Sequence, residues 1–320
     1  MGWILKNKWF ISLILAVCLI VSISIAFRIL KEEDRPKVMV VLQRLDIEFW
    51  KNFKSGAQKA FEDFGIDGKV IAPASLYPIT NQPNLLKKVL DQHPDALITA
   101  PTHPSAAYPI LMEYNKRNIP VILTTADTEW KHQTAYIGTD NTTLGKTAGM
   151  LLGSMLQPGD QVAIIHGRID EGIMIDRKNA AKEVLEDAGI KVVAEQSGYD
   201  HFGNPIPVME RILHAYPNLK GVIATSDRLA LQALKTIDQK GVNIPVIGAD
   251  GLTEIVKSVE AGKIDATIAQ NPYDMGYLSV ELAYKAIEGE NVQQRTDSGI
   301  DIITEDNAKE RLNLLKKTAY

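Results

Sequence analysis

The sequence predicts an α/β protein with two doubly wound, mostly parallel sheets, one per lobe, behind a single N-terminal apolar helix. Three observations predict it. From Lys37 onward, short apolar runs alternate with amphipathic stretches, the pattern of strand–helix–strand units. Ten such runs are more than one small sheet takes, and 320 residues suit two domains of about 100–150 residues each. The first thirty residues hold a charge-free stretch long enough for a bilayer.

The N-terminal stretch is WFISLILAVCLIVSISIAF, residues 9–27. A helix of about 20 apolar residues spans a membrane. Lys6 and Lys8 precede it, which keeps the N-terminus cytoplasmic and places the body outside. The stretch reads three ways. An uncleaved anchor fits its length, which exceeds the roughly 7–15 residues of a signal core. A cleaved signal fits Ser24-Ile25-Ala26, with a secreted product cut after Ala26. A lipoprotein signal fits Leu15-Ala16-Val17-Cys18, but Val17 stands where Gly, Ala or Ser is wanted and the apolar run continues past Cys18. The anchor is preferred; all three readings are extracytoplasmic.

The body begins with strand candidates at 38–43, 69–74, 96–100, 121–125 and 134–138. A second set follows at 161–167, 191–196, 221–226, 245–250 and 266–270. Most are apolar throughout, as strands covered on both faces are. Between them, Glu48 to Phe64 sets Phe49, Phe53, Ala57, Ala60 and Phe64 on one helical stripe. Gly65 and Gly189 follow helices, where a left-handed cap is needed. The change from the first sheet to the second falls at 136–141, with a new helix from Thr142.

Composition excludes several classes. With 45% hydrophobic and 23% charged residues, the chain is neither disordered nor a multi-span membrane protein. One cysteine excludes a disulfide framework. Residues 1–30 hold three cations and no acid, which leaves 32 basic against 39 acidic residues, a net −7, on the remainder. An acidic body argues against nucleic acid as a partner.

The enzyme motifs fail. Asp140-Asn-Thr-Thr-Leu-Gly145-Lys146-Thr147 misses a phosphate-binding loop by one residue, because Asp140 stands where the first glycine belongs. A carboxylate there repels a triphosphate. The six histidines show no HExxH spacing, although His166 ends a strand and so approaches the cleft. No GxSxG elbow and no GxGxxG fingerprint is present. No catalytic residue, metal or cofactor is assigned.

In doubly wound sheets, ligands bind beyond the carboxyl ends of the strands. Those positions carry Gln43, Arg44, Phe49, Trp50, Asp127, Arg177, Ser226, Asp227, Asp250 and Gln270. Flat rings cover the apolar faces of a sugar, while carboxylates, amides and guanidinium groups take its hydroxyls. Asp227 also reads as the N-cap of the helix RLALQALKTI.

The segments VVLQRLDIEFWKNFKSGAQKAFEDFG, IGTDNTTLGKTAG, GVIATSDRLALQAL, VIGADG and ATIAQNPYDMG occur in that order. Over about residues 36–300 the chain resembles the type I periplasmic sugar-binding proteins, the ribose-, galactose- and allose-binding group related to LacI-type repressor cores. The resemblance implies that one of Phe49 and Trp50 stacks on a sugar while the other packs nearby. It implies that Arg177, the pair Ser226 and Asp227, Asp250 and Gln270 contact ligand, and that Asp140 lies at the hinge. Ala180-Ala181 replaces the family's Gly-Phe after Arg177. The first lobe departs further, with Asp46-Ile47 in its first loop, Ala100 after the third strand and Thr124-Thr125-Ala126-Asp127 after the fourth. Ribose itself is therefore not the expected ligand. Arg44 adds a cation that suits an acidic or phosphorylated sugar, or forms a surface ion pair.

The same resemblance implies a three-strand hinge, with crossovers near 137–141, 268–273 and 297–302. Residues 1–30 are then the anchor or signal, 36–139 with 271–299 the first lobe, and 140–270 with 300–320 the second. The implied function is capture of a sugar-like solute by hinge closure and delivery to an ABC permease. The alternative is a co-receptor that presents the closed form to a membrane sensor kinase.

Overall fold

A computed structural model of the chain describes residues 35–125, 128, 130–167, 172–199 and 206–318. The apolar stretch 9–27, with Cys18, and the candidate Asp127 lie outside the described residues. Among the described residues, no helix is long and apolar enough to cross a membrane.

The first lobe runs β1 (Lys37–Val41), α1 (Glu48–Phe64), β2 (Asp67–Ile71), α2 (Asn81–Leu90), β3 (Ala96–Thr99), α3 (Pro104–Lys116), β4 (Val121–Thr124) and β5 (Ala135–Gly138). The second runs α4 (Asn141–Ser154), β6 (Gln161–His166), α5 (Gly172–Asp187), β7 (Lys191–Ser197), α6 (Val208–Ala215), β8 (Leu219–Ala224), α7 (Asp227–Lys240), β9 (Val246–Asp250), α8 (Thr253–Glu260) and β10 (Ala266–Gln270). The chain then continues through α9 (Pro272–Ile287), β11 (Arg295–Asp297), β12 (Ile300–Ile303) and α10 (Glu305–Thr318).

Two six-stranded sheets result, ordered β11-β5-β4-β3-β1-β2 and β12-β10-β9-β8-β6-β7. All pairings are parallel except that of β12, which runs antiparallel to β10. Central strands such as β3 and β4 are buried at every position. Edge strands β2 and β7 are not, because each lacks a neighbour on one side and faces solvent. The expectation of uniformly buried strands therefore holds only inside the sheets. Strands β11 and β12 were missed from sequence, since three or four residues such as Arg-Thr-Asp carry no readable period.

Helix α1 follows its stripe. Phe53, Ala57 and Ala60 are fully buried beneath the first sheet's neighbour α9, whereas Phe49 and Phe64 flank the face and are half-buried. Gly65 caps the helix in the left-handed region at φ 66°, with its N–H on the Glu62 and Phe61 carbonyls. The contact between α1 and α9 is close enough to need glycine. A Cβ on Gly276 would lie 2.0 Å from the Phe53 carbonyl oxygen, and one on Gly56 1.9 Å from that of Tyr273. This contact returns the chain from the second sheet to the first.

The chain passes between the sheets three times: between β5 and α4, between β10 and α9, and between β11 and β12. Side chains tie these crossings together. The Thr139 hydroxyl donates to Gln270 Oε1 at 2.9 Å and lies 3.4 Å from Ser298 Oγ. Asp297 Oδ1 accepts the N–H groups of Asp140 at 3.1 Å and Gly299 at 3.0 Å. Asp140 itself N-caps α4, with Oδ1 on the Thr143 N–H and Oδ2 on the Thr143 hydroxyl. These bonds hold its carboxyl below the usual carboxylate range. The residue that breaks the phosphate-loop pattern is thus a helix cap at a lobe crossing.

Candidate functional site

The carboxyl end of the second sheet carries a closed ring of side-chain bonds. Arg177, on α5, is 2% exposed. Its Nε donates to Asn141 Oδ1 at 2.8 Å, and its Nη1 donates to the Thr225 carbonyl at 2.8 Å and to Asp250 Oδ1 at 2.9 Å. Gln270 Nε2 donates to the same Asp250 oxygen at 2.7 Å. Gln270 Oε1 receives Thr139, and Asn141 Nδ2 closes the ring on the Thr139 carbonyl at 3.1 Å. Three of the expected ligand residues, Arg177, Asp250 and Gln270, are therefore brought together at the hinge.

The local sequence explains this placement. A Cβ on Gly145 would lie 2.3 Å from the Arg177 carbonyl oxygen, so glycine in α4 lets α5 approach until Arg177 reaches Asn141. Asp250 closes β9 at φ 125°, a conformation that side chains rarely adopt, followed by Gly251 at φ 76°. That turn aims the Asp250 carboxylate at Arg177 instead of continuing the strand. Among the described residues, Asp250 Oδ2 and Arg177 Nη2 make no hydrogen bond. The pair thus keeps an acceptor beside a donor, which suits a hydroxyl that donates and accepts at once.

The other expected residues divide. Trp50 is 5% exposed and packs edge-on against Phe49 and Phe53, with ring centroids 5.0 and 5.9 Å away. Of the aromatic pair, Phe49 is the ring left half-exposed. Ser226 is the N-cap position of α7, but its side chain makes no capping bond. Gln43 is half-buried, with Nε2 3.4 Å from the Pro101 carbonyl. Arg44 is paired to Asp46 through Nε at 2.6 Å and Nη2 at 2.5 Å, on the exposed loop after β1. Of the two readings of Arg44, an acidic sugar or a surface ion pair, the structure shows the ion pair.

Asp227 departs from both of its expected roles. It is the first residue of α7, not its cap, and is fully buried. Oδ1 accepts the Thr267 hydroxyl at 2.6 Å and Oδ2 the Leu252 N–H at 2.7 Å. Both oxygens face inward, so the carboxyl braces the turn after Asp250 from behind and presents nothing to a ligand. Burial, reinforced by the nearby charge of Asp250, raises its pKa well above the usual carboxylate range.

Sequence reading missed Arg311, on α10. It is 6% exposed and donates to Asn271 Oδ1 at 3.0 Å, Asp301 Oδ2 at 3.2 Å and the Gln270 carbonyl at 2.6 Å. It therefore grips the second crossing and the strand that follows the third. Burial lowers its pKa from the ordinary arginine value. A signal was present: Ala308, Leu312 and Leu315 mark the buried face of α10, and Arg311 lies on it.

Two α/β lobes joined by three crossings, with polar groups gathered at the sheet ends beside them, define a hinged solute receptor. A family model described as a periplasmic binding protein domain matches residues 38–291, and the chain belongs to that family. It is 28% identical to a ribose import binding protein of Bacillus subtilis over 82% of this chain and 85% of that one. It is 27% identical to a D-allose-binding periplasmic protein of Escherichia coli over 77% of this chain and 83% of the other. Among solved structures, a glucose-galactose binding protein from Geobacillus stearothermophilus superposes with a TM-score of 0.76 at 26% identity, covering 86% of this chain and 99% of that one. A solute binding protein of Actinobacillus succinogenes with bound D-allose has the same fold, with a TM-score of 0.79 at 24% identity over 86% of this chain and all of the other.

Proposed function

We propose that the protein is an extracytoplasmic receptor that closes on a neutral sugar or polyol and delivers it to an ABC importer. The observation that carries this reading is the Arg177–Asp250 pair, which offers a donor and an acceptor with no net charge. Arg44, neutralised by Asp46, removes the argument for an acidic sugar. The relatives named above as ribose- and allose-binding supply the importer class. In this reading residues 36–139 with 271–299 move as one body and 140–270 with 300–320 as the other. Phe49 covers one face of the sugar, while Asp250, Arg177, Gln270 and Ser226 take its hydroxyls. Ligand held by both lobes favours the closed form by its difference in affinity between the two states. The sensory alternative rests on the apolar stretch 9–27 alone, which lies outside the described residues.

The test is a thermal-shift panel on the purified chain: D-ribose, D-allose, D-galactose, xylitol, galacturonate and a sugar phosphate. Ligand at 100 times its Kd stabilises a two-state fold by about 2.7 kcal/mol. A neutral sugar or polyol is expected to raise Tm. A response to the charged members alone would overturn the reading.

A further inference from the structure

Glu48 and Thr253 lie 205 residues apart and in different lobes, yet they are bonded. Glu48 opens α1 directly after the loop that leaves β1. Thr253 opens α8 after the turn that leaves β9, three residues beyond Asp250. One carboxylate oxygen, Oε1, accepts both the Thr253 N–H at 2.9 Å and the Thr253 hydroxyl at 2.6 Å. Both residues are half-buried.

The local sequences show why the bond crosses the lobes. The first N–H groups of a helix need acceptors, which Ser, Thr, Asp or Asn at the cap normally provides. The N-cap of α8 is Leu252 and that of α1 is Ile47, and neither makes a side-chain cap. The second lobe thus leaves the start of α8 uncapped, and the first lobe supplies the missing acceptor. Glu48 also sits at the positive ends of two helix dipoles, which favours its charge there. When the lobes part, water must replace this acceptor at Thr253 and this donor pair at Glu48.

We propose that Glu48 is a closure latch: a residue that touches no ligand but sets how long ligand stays, by stabilising the closed form through Thr253. The proposal rests on the hinge-closing reading above, and it names an affinity-setting residue outside the sugar contacts. A latch that acts only in the closed state slows release and leaves the encounter with the open state alone. Apparent affinity falls because closure over the bound ligand becomes less favourable.

The test uses the full-length chain and the variants Glu48→Ala, Glu48→Gln and Thr253→Val. Circular dichroism and a single cooperative melt establish that each folds. In solution scattering without ligand, Glu48→Ala and Thr253→Val are expected to have a larger radius of gyration than the wild type. Unchanged scattering in both would overturn the latch. In stopped-flow fluorescence with D-allose and D-ribose, Glu48→Ala is expected to release bound sugar about tenfold faster, the loss of a charge-assisted bond. Glu48→Gln should fall between Glu48→Ala and the wild type. Association should stay within about twofold, and in the double variant Thr253→Val should add little to Glu48→Ala, because the hydroxyl bond it removes is already lost with the carboxylate. Faster release shared equally with slower association would indicate a damaged site and also overturn the latch. If neither sugar binds the wild type, the proposed ligand class fails while the scattering result still decides the latch.

Discussion

Gln270, the last residue of β10 before the chain returns to the first lobe, donates to Asp250 Oδ1 at 2.7 Å. A residue at a lobe crossing therefore holds the carboxylate that is proposed above to meet a ligand. Arg177 donates to the same oxygen, and Thr139 and Asn141 carry the bonds back to the first crossing. Any group that pulls on Asp250 also pulls on the hinge.

Asp250→Ala should weaken sugar binding at least tenfold, because a buried hydroxyl loses a charged acceptor. It should also destabilise the fold by about 3 kcal/mol, since Arg177, 2% exposed, keeps its charge without a carboxylate. Asp250→Asn retains an acceptor for Gln270 and Arg177 and should recover part of the stability without restoring full affinity. Calorimetric titration and chemical denaturation separate the two effects. Unchanged affinity in Asp250→Ala would remove Asp250 from the site.

Gly276→Val should be among the most damaging changes to the first lobe. Its Cβ would lie 2.0 Å from the Phe53 carbonyl oxygen, and backbone cannot move aside as a flexible side chain can. Separating α1 from α9 costs about 1–3 kcal/mol or more for overpacking of this kind. The measurement is the urea midpoint. A midpoint within error of the wild type would show that the two helices tolerate a wider spacing.

The alternation of apolar runs and amphipathic helices made the two parallel sheets legible, because burial on both faces writes itself into consecutive residues such as Val121–Thr124. Strand-end topology points to Asp250 and Gln270, and the resemblance adds Arg177 on α5; the structure bonds both Arg177 and Gln270 to the Asp250 carboxylate. What the sequence hid is long-range pairing. Nothing near Asp227 reveals that Thr267 and Leu252, 40 and 25 residues away, enclose it. Glu48 and Arg311 read as ordinary charges on amphipathic helices, because their partners lie in distant segments.

Arg311→Ala should lower stability by about 2–4 kcal/mol, as the Asn271 side chain and the Gln270 carbonyl lose their donor inside the protein. Asp301→Asn should cost less than about 1 kcal/mol, because the Asp301 side chain is 53% exposed and its charge stays hydrated either way. Denaturant titration of both variants checks the contrast. Equal losses would mean that the ion pair, and not the grip on the crossing, carries the contribution of Arg311.

The pH dependence of stability should be traceable to Asp227. Its carboxyl binds a proton more tightly in the folded chain than in the unfolded chain, where the ordinary value is about 3.9, because burial and the charge of Asp250 oppose its ionisation. Between the two values the folded state holds more protons. This contribution to stability is therefore complete below pH ~4 and is lost as pH rises through the raised native value. Asp227→Asn removes the titration and keeps the shape. Its amide oxygen can accept from the Leu252 N–H while its NH₂ donates to the Thr267 hydroxyl, which can reverse its role. The variant should lie within about 1 kcal/mol of the wild type at pH 5 and gain on it steadily toward alkaline pH. Urea titrations at pH 5, 7 and 8.5 measure the difference. A gap that stays constant across that range would place the pH dependence elsewhere and return Asp227 to an ionised, fully compensated brace.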